Sequence, residues 1–319
     1  MTIQSEHTLA TPANGSIKES LAVETFRLTK LISDHAPYDG TFSQRIPGLS
    51  VSRYSVANKD DVKSFDLPSM LIVAQGAKTV TVGQEVYRFN QSQILMLPVA
   101  LPIALKVTEA SHLEPYLSVK LVLDPQKIAE LALRVYPHGV PAVTKWSAGY
   151  VLNADLGMIN AASRLVECLT STSDAELLGP LVMDEILLRV LRSPIGARIA
   201  ELGFAGSEVN LVTKVVAWLR NHYSHPMKVA ELAEMAHMSE STFRVHFKSI
   251  TSMSPLQYQK ALRLHEARRL MVSEAMDATT ACNLVGYASP TQFNRDYSRF
   301  FGNPPKRDIA GLRQQLPLK

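Results

Sequence analysis

Between Pro68 and Asp124, apolar and polar residues alternate in short runs, the two-residue period of strands that bury one face. SMLIVAQ, KTVTVG, EVYRF, QILMLP, IALKV and YLSVKLVL are separated by Gly76 and by turn residues 90–92, and LSVSRYSVA from Leu49 adds a further strand. Within this stretch Val80 and Val82 alternate with Thr79 and Thr81. Six or more such strands predict a sandwich or a small barrel. Its candidate inward residues are Leu71, Val73, Val80, Val82, Tyr87 and Met96, which either line a pocket or form an ordinary core. Gln75, Arg53 and Arg88 are polar groups available to orient a ligand.

Further along the chain the apolar period lengthens to that of helices, over residues 126–135, 155–170 and 175–192. In the last of these, Leu177, Leu181, Ile186, Leu188 and Leu191 point in too many directions for one thin partner. The helix is therefore expected to pack on the strands and on a second surface, either helix 155–170 or another subunit. Leu177, Leu181 and Leu188 are the candidate dimer contacts. Pro194, Gly196, Gly203 and Gly206 then mark a hinge, with residues 201–207 as the linker. A helix from Glu208 to His222 follows, with Val212, Val215, Val216 and Leu219 as its apolar stripe.

One pattern then occurs twice, about 50 residues apart. VAELAEMAHMSESTFRVHFKSITSMSP begins at Val229 and ATTACNLVGYASPTQFNRDYSRFFGNPP at Ala278. A single register superposes Ser239 on Ser289, Phe243 on Phe293, Phe247 on Tyr297, Ile250 on Phe300 and Pro255 on Pro305. Each copy has a short helix, 229–236 or 278–285, then a polar turn and a second helix opened by Ser or Thr. This is the pattern of a helix-turn-helix unit. The aromatic positions share a buried stripe. Ser241, Thr242, Arg244, Val245 and Lys248 face outward in the first copy, and Thr291, Gln292, Asn294, Arg295, Ser298 and Arg299 in the second. These residue types suit duplex DNA: Arg pairs with guanine edges, Asn with adenine, and a Val methyl meets the thymine methyl. Ser, Thr and Lys hold phosphates. A solvated helix face would look similar in one copy, but the duplication favours DNA.

The chain resembles the AraC/XylS family of bacterial transcription regulators. Ser254, Pro255, Tyr258, Arg263, Leu264, Ala267, Leu270 and Met271 match its linking helix, and Gly286, Tyr287, Ser289, Phe293, Arg295, Phe301, Gly302 and Pro305 match its second-unit signature. The resemblance implies two helix-turn-helix units joined by a long helix. It places base reading on Ser241, Arg244, Val245, Thr291, Asn294 and Arg295, and it implies a homodimer and contact with RNA polymerase. Ser252 stands where the family usually has a glycine ending the first recognition helix, and Ser disfavours a left-handed cap there. QGAKTVTVG and PYLSVKLVLD resemble the cupin-type sensory domain of one subgroup.

Charge and chemistry narrow this reading. From Ser207 onward 15 Lys and Arg face 9 Asp and Glu, so the basic excess sits in the repeats. Within residues 21–200 the histidines are His35, His112 and His138, with no ligand spacing on one strand, so neither a metal nor another cofactor is expected. Cys168 and Cys282 fall in different domains, and no catalytic residues are assigned. The first 16 residues lack the basic and apolar regions of a signal peptide, which points to a cytoplasmic protein. The expected architecture is α+β: a flexible tail at 1–20, a cupin-like sensory and dimerisation domain at 21–200, and a DNA-binding domain at 208–319. It implies a DNA-binding regulator answering to a small-molecule effector. The alternatives are control by a partner protein or second messenger, and a cupin enzyme fused to a DNA-binding module.

Overall fold

The structure, a computed structural model, describes residues 14–315 except Thr144. It opens on helix α1 (Asn14–His35), so residues 14–20, expected as tail, are the first turns of a helix; residues 1–13 lie outside the described residues. Strands β1 (Gly40–Ser43), β2 (Leu49–Tyr54), β3 (Val62–Asp66), β4 (Ser69–Gln75), β5 (Ala77–Val82), β6 (Glu85–Asn90), β7 (Gln93–Leu97), β8 (Leu101–Glu109) and β9 (Tyr116–Val122) follow. Next come α2 (Pro125–Val135), β10 (Tyr150–Asn153), α3 (Leu156–Glu167), α4 (Thr172–Leu177), α5 (Gly179–Leu191) and α6 (Gly196–Ala200). The C-terminal part is helical: α7 (Glu208–His222), α8 (Val229–Met235), α9 (Glu240–Thr251), α10 (Pro255–Ser273), α11 (Ala278–Leu284), α12 (Pro290–Phe301) and α13 (Pro305–Gln315).

The strands form two sheets, ordered β1-β2-β9-β4-β7-β10 and β3-β8-β5-β6. β6 packs against β7 and β10 without a ladder between them, so the expected barrel is an open sandwich. Directly paired residues of an antiparallel ladder share a face. Tyr54 with Tyr116, Ser52 with Ser118, and Leu71 with Lys120 therefore face the second sheet, whereas Met70 and Met96 sit on the other face, toward α1. Met96 is thus not an inward residue of the sandwich. Its buried neighbours made it look like one, but its register assigns it to the helix layer.

The apolar run 175–192 is two helices. Gly179 and Pro180 open α5, because proline fits a first turn but removes the hydrogen bond that would have continued α4. The glycine hinge is also more structured than expected. A Cβ on Gly203 would lie 2.5 Å from the Ala129 backbone, so this glycine permits close packing on α2. Ser207 Oγ donates to the Glu201 carbonyl (2.6 Å) and Asn210 Nδ2 to that of Leu202 (3.0 Å), tying the linker to the start of α7.

Candidate nucleic-acid interface

Each recognition helix is built by its ends. Ser239 Oγ accepts from the Thr242 N–H (3.2 Å) to start α9, and Ser289 Oγ from that of Gln292 (3.4 Å) to start α12. Both helices end on a left-handed residue whose N–H reaches back four residues at 2.8 Å: Ser252 (φ 56°) to Lys248, and Gly302 (φ 82°) to Ser298. Serine thus adopts the cap that its side chain disfavours. The neighbouring domain meets this cap. A Cβ on Gly83 would lie 2.4 Å from the Ser252 carbonyl oxygen, so the β5–β6 turn is pressed against this cap.

The apolar stripes pack as the register requires. Phe243, Phe247, Ile250, Phe293 and Tyr297 are at most 1% exposed, each burial stabilising by about 1.5–3 kcal/mol, while Phe300 is partly buried. Asp296, in phase with the outward set, is buried instead and holds Lys260 Nζ of the linking helix at 3.1 Å. Arg263 of α10 donates to the carbonyls of Tyr223 (2.7 Å) and Gly286 (2.9 Å), which binds the end of α7 to the turn of the second unit. Arg268 grips Asp308 through two 2.8 Å bonds, and Tyr297 Oη donates to the same carboxylate (2.7 Å). Burial, reinforced by the Arg268 and Lys63 charges, lowers the His265 pKa to about 4, so the ring that packs edge-on against Phe300 and Phe301 is neutral.

Ten of the eleven outward residues are exposed: Ser241, Thr242, Arg244, Val245 and Lys248 on α9, and Thr291, Gln292, Asn294, Arg295 and Arg299 on α12; Ser298 is half-buried and donates to the Asn294 carbonyl (2.8 Å). Arg244 pairs with Glu240 at 3.1 Å. Arg295 and Arg299 make no ion pair among the described residues, which leaves their charge available to an anion. Lys248 borders a cleft of about 320 Å³ shared with Gly83, Gln84 and Lys260. Between the two helices runs α10, whose 19 residues span about 28 Å.

In the sandwich, Leu71, Val73, Val80 and Val82 are buried and Tyr87 is partly buried. Gln75 Nε2 donates to the Pro115 carbonyl (2.8 Å). Arg88 is exposed, and Arg53 pairs across the ladder with Leu117, away from the inter-sheet space. A buried charged group aimed inward is Lys78, which sequence reading missed although it lies in phase with Val80 and Val82. Of the dimer candidates, Leu177 and Leu181 are 68% and 63% exposed and Leu188 is half-buried. Leu181 lines a cleft of about 510 Å³ with Arg164, Cys168, Leu178 and Glu185. Among the described residues, no three His, Cys, Asp or Glu stand together to hold a metal, and no helix is long and apolar enough to cross a membrane.

Residues 45–198 match the family described as the AraC-type transcriptional regulator N-terminus, and residues 232–309 match a helix-turn-helix domain family. The transcriptional activator RhaS of Pectobacterium carotovorum is 30% identical over 102 residues, 32% of this chain and 37% of RhaS. The transcriptional activator RclR of Escherichia coli, described as RCS-specific, is 32% identical over 93 residues, 29% of this chain and 33% of RclR. The matched part thus spans little more than a third of these relatives. A crystal structure of ToxT from Vibrio cholerae superposes with a TM-score of 0.54 at 12% identity, covering 82% of this chain and 98% of ToxT. Another, of wild-type ToxT with a bound unsaturated fatty acid, gives 0.51 at 10% identity, covering 84% and 97%. At such identities the likeness concerns the fold.

Proposed function

The chain belongs to the AraC family of DNA-binding transcription regulators, and on that premise we propose that it reads two successive major-groove segments through α9 and α12. In this reading residues 208–319 are the DNA reader and residues 21–200 the sensory and dimerisation domain. The sandwich regulates in response to a small molecule and does not catalyse, and RNA polymerase is the partner that family resemblance suggests. The observation that carries the reading is the exposure of ten outward side chains on two helices held by one 19-residue helix. Two recognition helices on one face of a duplex engage groove segments about 34 Å apart. Footprinting of the full chain on its operator tests this: two protected segments per copy, one turn apart, are expected, and a single segment contradicts it.

A second copy is the proposed occupant of the face bearing Leu177 and Leu181. Large apolar side chains this exposed are a liability in a lone chain. Pairing also doubles the DNA contacts, at an effective concentration of about the mM range. Light scattering is expected to give a dimer for the wild type and a monomer for Leu181→Glu, whose charge would be buried without a partner.

A further inference from the structure

Two charged side chains are buried among the described residues, Asp296 and Lys78. Asp296 has Lys260 beside it; Lys78, 7% exposed, makes no ion pair or hydrogen bond among the described residues. It sits on the inward face of β5, and its ammonium stands over the rings of Tyr116 (5.2 Å) and Tyr54 (5.6 Å) on the opposite sheet. The nearest charges are Asp66 and Lys120, which already pair with each other and are more exposed than Lys78. This corner of the interior therefore holds two cations and one carboxylate.

The wall facing Lys78 is polar where a sandwich core is normally apolar. Ser52 and Ser118 are buried and lie on the same face as the two tyrosines. Thr41 Oγ1 bonds Ser52 Oγ (2.8 Å) and Tyr54 Oη (3.1 Å). An uncompensated ammonium in such a place is unfavourable unless something negative joins it. Burial, with Lys120 adding to it and Asp66 opposing, lowers the Lys78 pKa to about 8, in the direction expected of a cation lacking its partner.

We infer that this corner is an anion site that takes a compact carboxylate, with Lys78 as its counter-ion, the Ser52 and Ser118 hydroxyls as donors, and the faces of Tyr54 and Tyr116 as its walls. The inference rests on the proposed regulatory role of the sandwich, and it names the chemistry of the effector. The Lys120–Asp66 pair marks the solvent side, where an anion would enter.

The test uses the full chain, wild type and Lys78→Met, melted with acetate or benzoate and with acetamide or benzamide at equal ionic strength. The carboxylates are expected to raise the wild-type midpoint, the amides to leave it unchanged, and the variant to lose about tenfold or more in apparent affinity. Without additive, Lys78→Met should melt no lower than the wild type, because it removes a charge that has no partner. No carboxylate shift, an equal shift in both proteins, or a variant that melts well below the wild type without additive would each overturn the inference, the last by making Lys78 a structural pin. DNA affinity measured with and without benzoate separates the two readings. Binding without an effect on DNA would sustain the anion site and remove the regulatory role of the sandwich.

Discussion

Phe243 and Phe247 of the first helix-turn-helix unit, with Tyr258 of the linking helix, belong to the same apolar core as the sandwich, whereas Phe293 and Tyr297 of the second share a separate cluster with Leu264, Met271 and Ile309. The polar contacts divide in the same way. Tyr258 Oη donates to the Ala100 carbonyl (2.7 Å), Ser249 Oγ donates to that of Trp146 (3.3 Å), and the Ser252 cap rests on Gly83. Glu85, next to that turn, accepts from Tyr87 and from Ser147 (2.9 Å). The second unit meets the sandwich more sparsely, with Lys63 over the Phe300 ring at 5.9 Å and Arg268 donating to the Lys63 carbonyl at 3.3 Å. The contrast shows that internal sequence symmetry does not make two units mechanically equivalent. The sandwich packs directly on the first unit and meets the second mainly by way of α10.

The strongest way to break this comparison is a matched pair of cavities. Phe247→Ala and Phe293→Ala should each destabilise by about 3–5 kcal/mol. Hydrogen exchange should show Phe247→Ala loosening the sandwich strands as well as α9, and Phe293→Ala loosening only the second unit; equal effects on the strands would end the distinction. Next in size is a pH effect on the junction. His265 has a folded pKa of about 4 against 6.5 for an ordinary histidine, so the unfolded chain takes up the proton first. Stability is unaffected above pH 6.5 and should fall as pH drops from there toward 4, by about 2 kcal/mol after allowance for partial exposure. Urea unfolding of His265→Gln across this range should lack that slope.

Base reading sharpens the comparison further. Arg295→Ala should weaken the cognate site by about 1–3 kcal/mol and relax preference at one base position, whereas Lys248→Ala should weaken all sequences alike and flatten the salt dependence. Equal loss on cognate and random DNA for Arg295→Ala would remove its reading role. An effect of the same order is expected of Tyr258→Phe, which leaves the Ala100 carbonyl without its donor and should destabilise by about 1–3 kcal/mol in chemical denaturation. If the seating of the first unit restrains DNA binding, the same variant binds the operator more tightly; unchanged binding would confine the contact to stability.

Much of the DNA-binding half was legible because its signals are local. N-cap serines, aromatic stripes and the shared register each act within about four residues, and α7 follows its expected bounds, Glu208–His222. The sandwich was legible in its central strands, where alternation is strong. β1, β3 and β10 were missed because they are edge strands of four or five residues, partly exposed and too short to show an alternating pattern. Met96 was misplaced because burial on either face of a covered sheet looks alike in sequence. Lys78 was missed because a lysine amid alternating residues reads as solvent-facing until the phase of Val80 and Val82 is applied to it. The docking of the first unit depends on contacts between residues more than 100 positions apart, Tyr258 with Ala100 and Ser249 with Trp146, which no local pattern encodes.

Strand β3 pairs only with β8, so one of its edges is unrestrained by any ladder. Consecutive residues of a strand leave it in opposite directions. Asp66 projects to the inner side and pairs with Lys120 beside Lys78, while Phe65 projects outward and packs edge-on against Tyr258 and His265 of α10. The strand is thus a rocker one peptide thick, with an electrostatic load on one arm and an aromatic bearing on the other. Two adjacent residues of one strand thus touch both the charged corner of the sandwich and the helix that spaces α9 and α12.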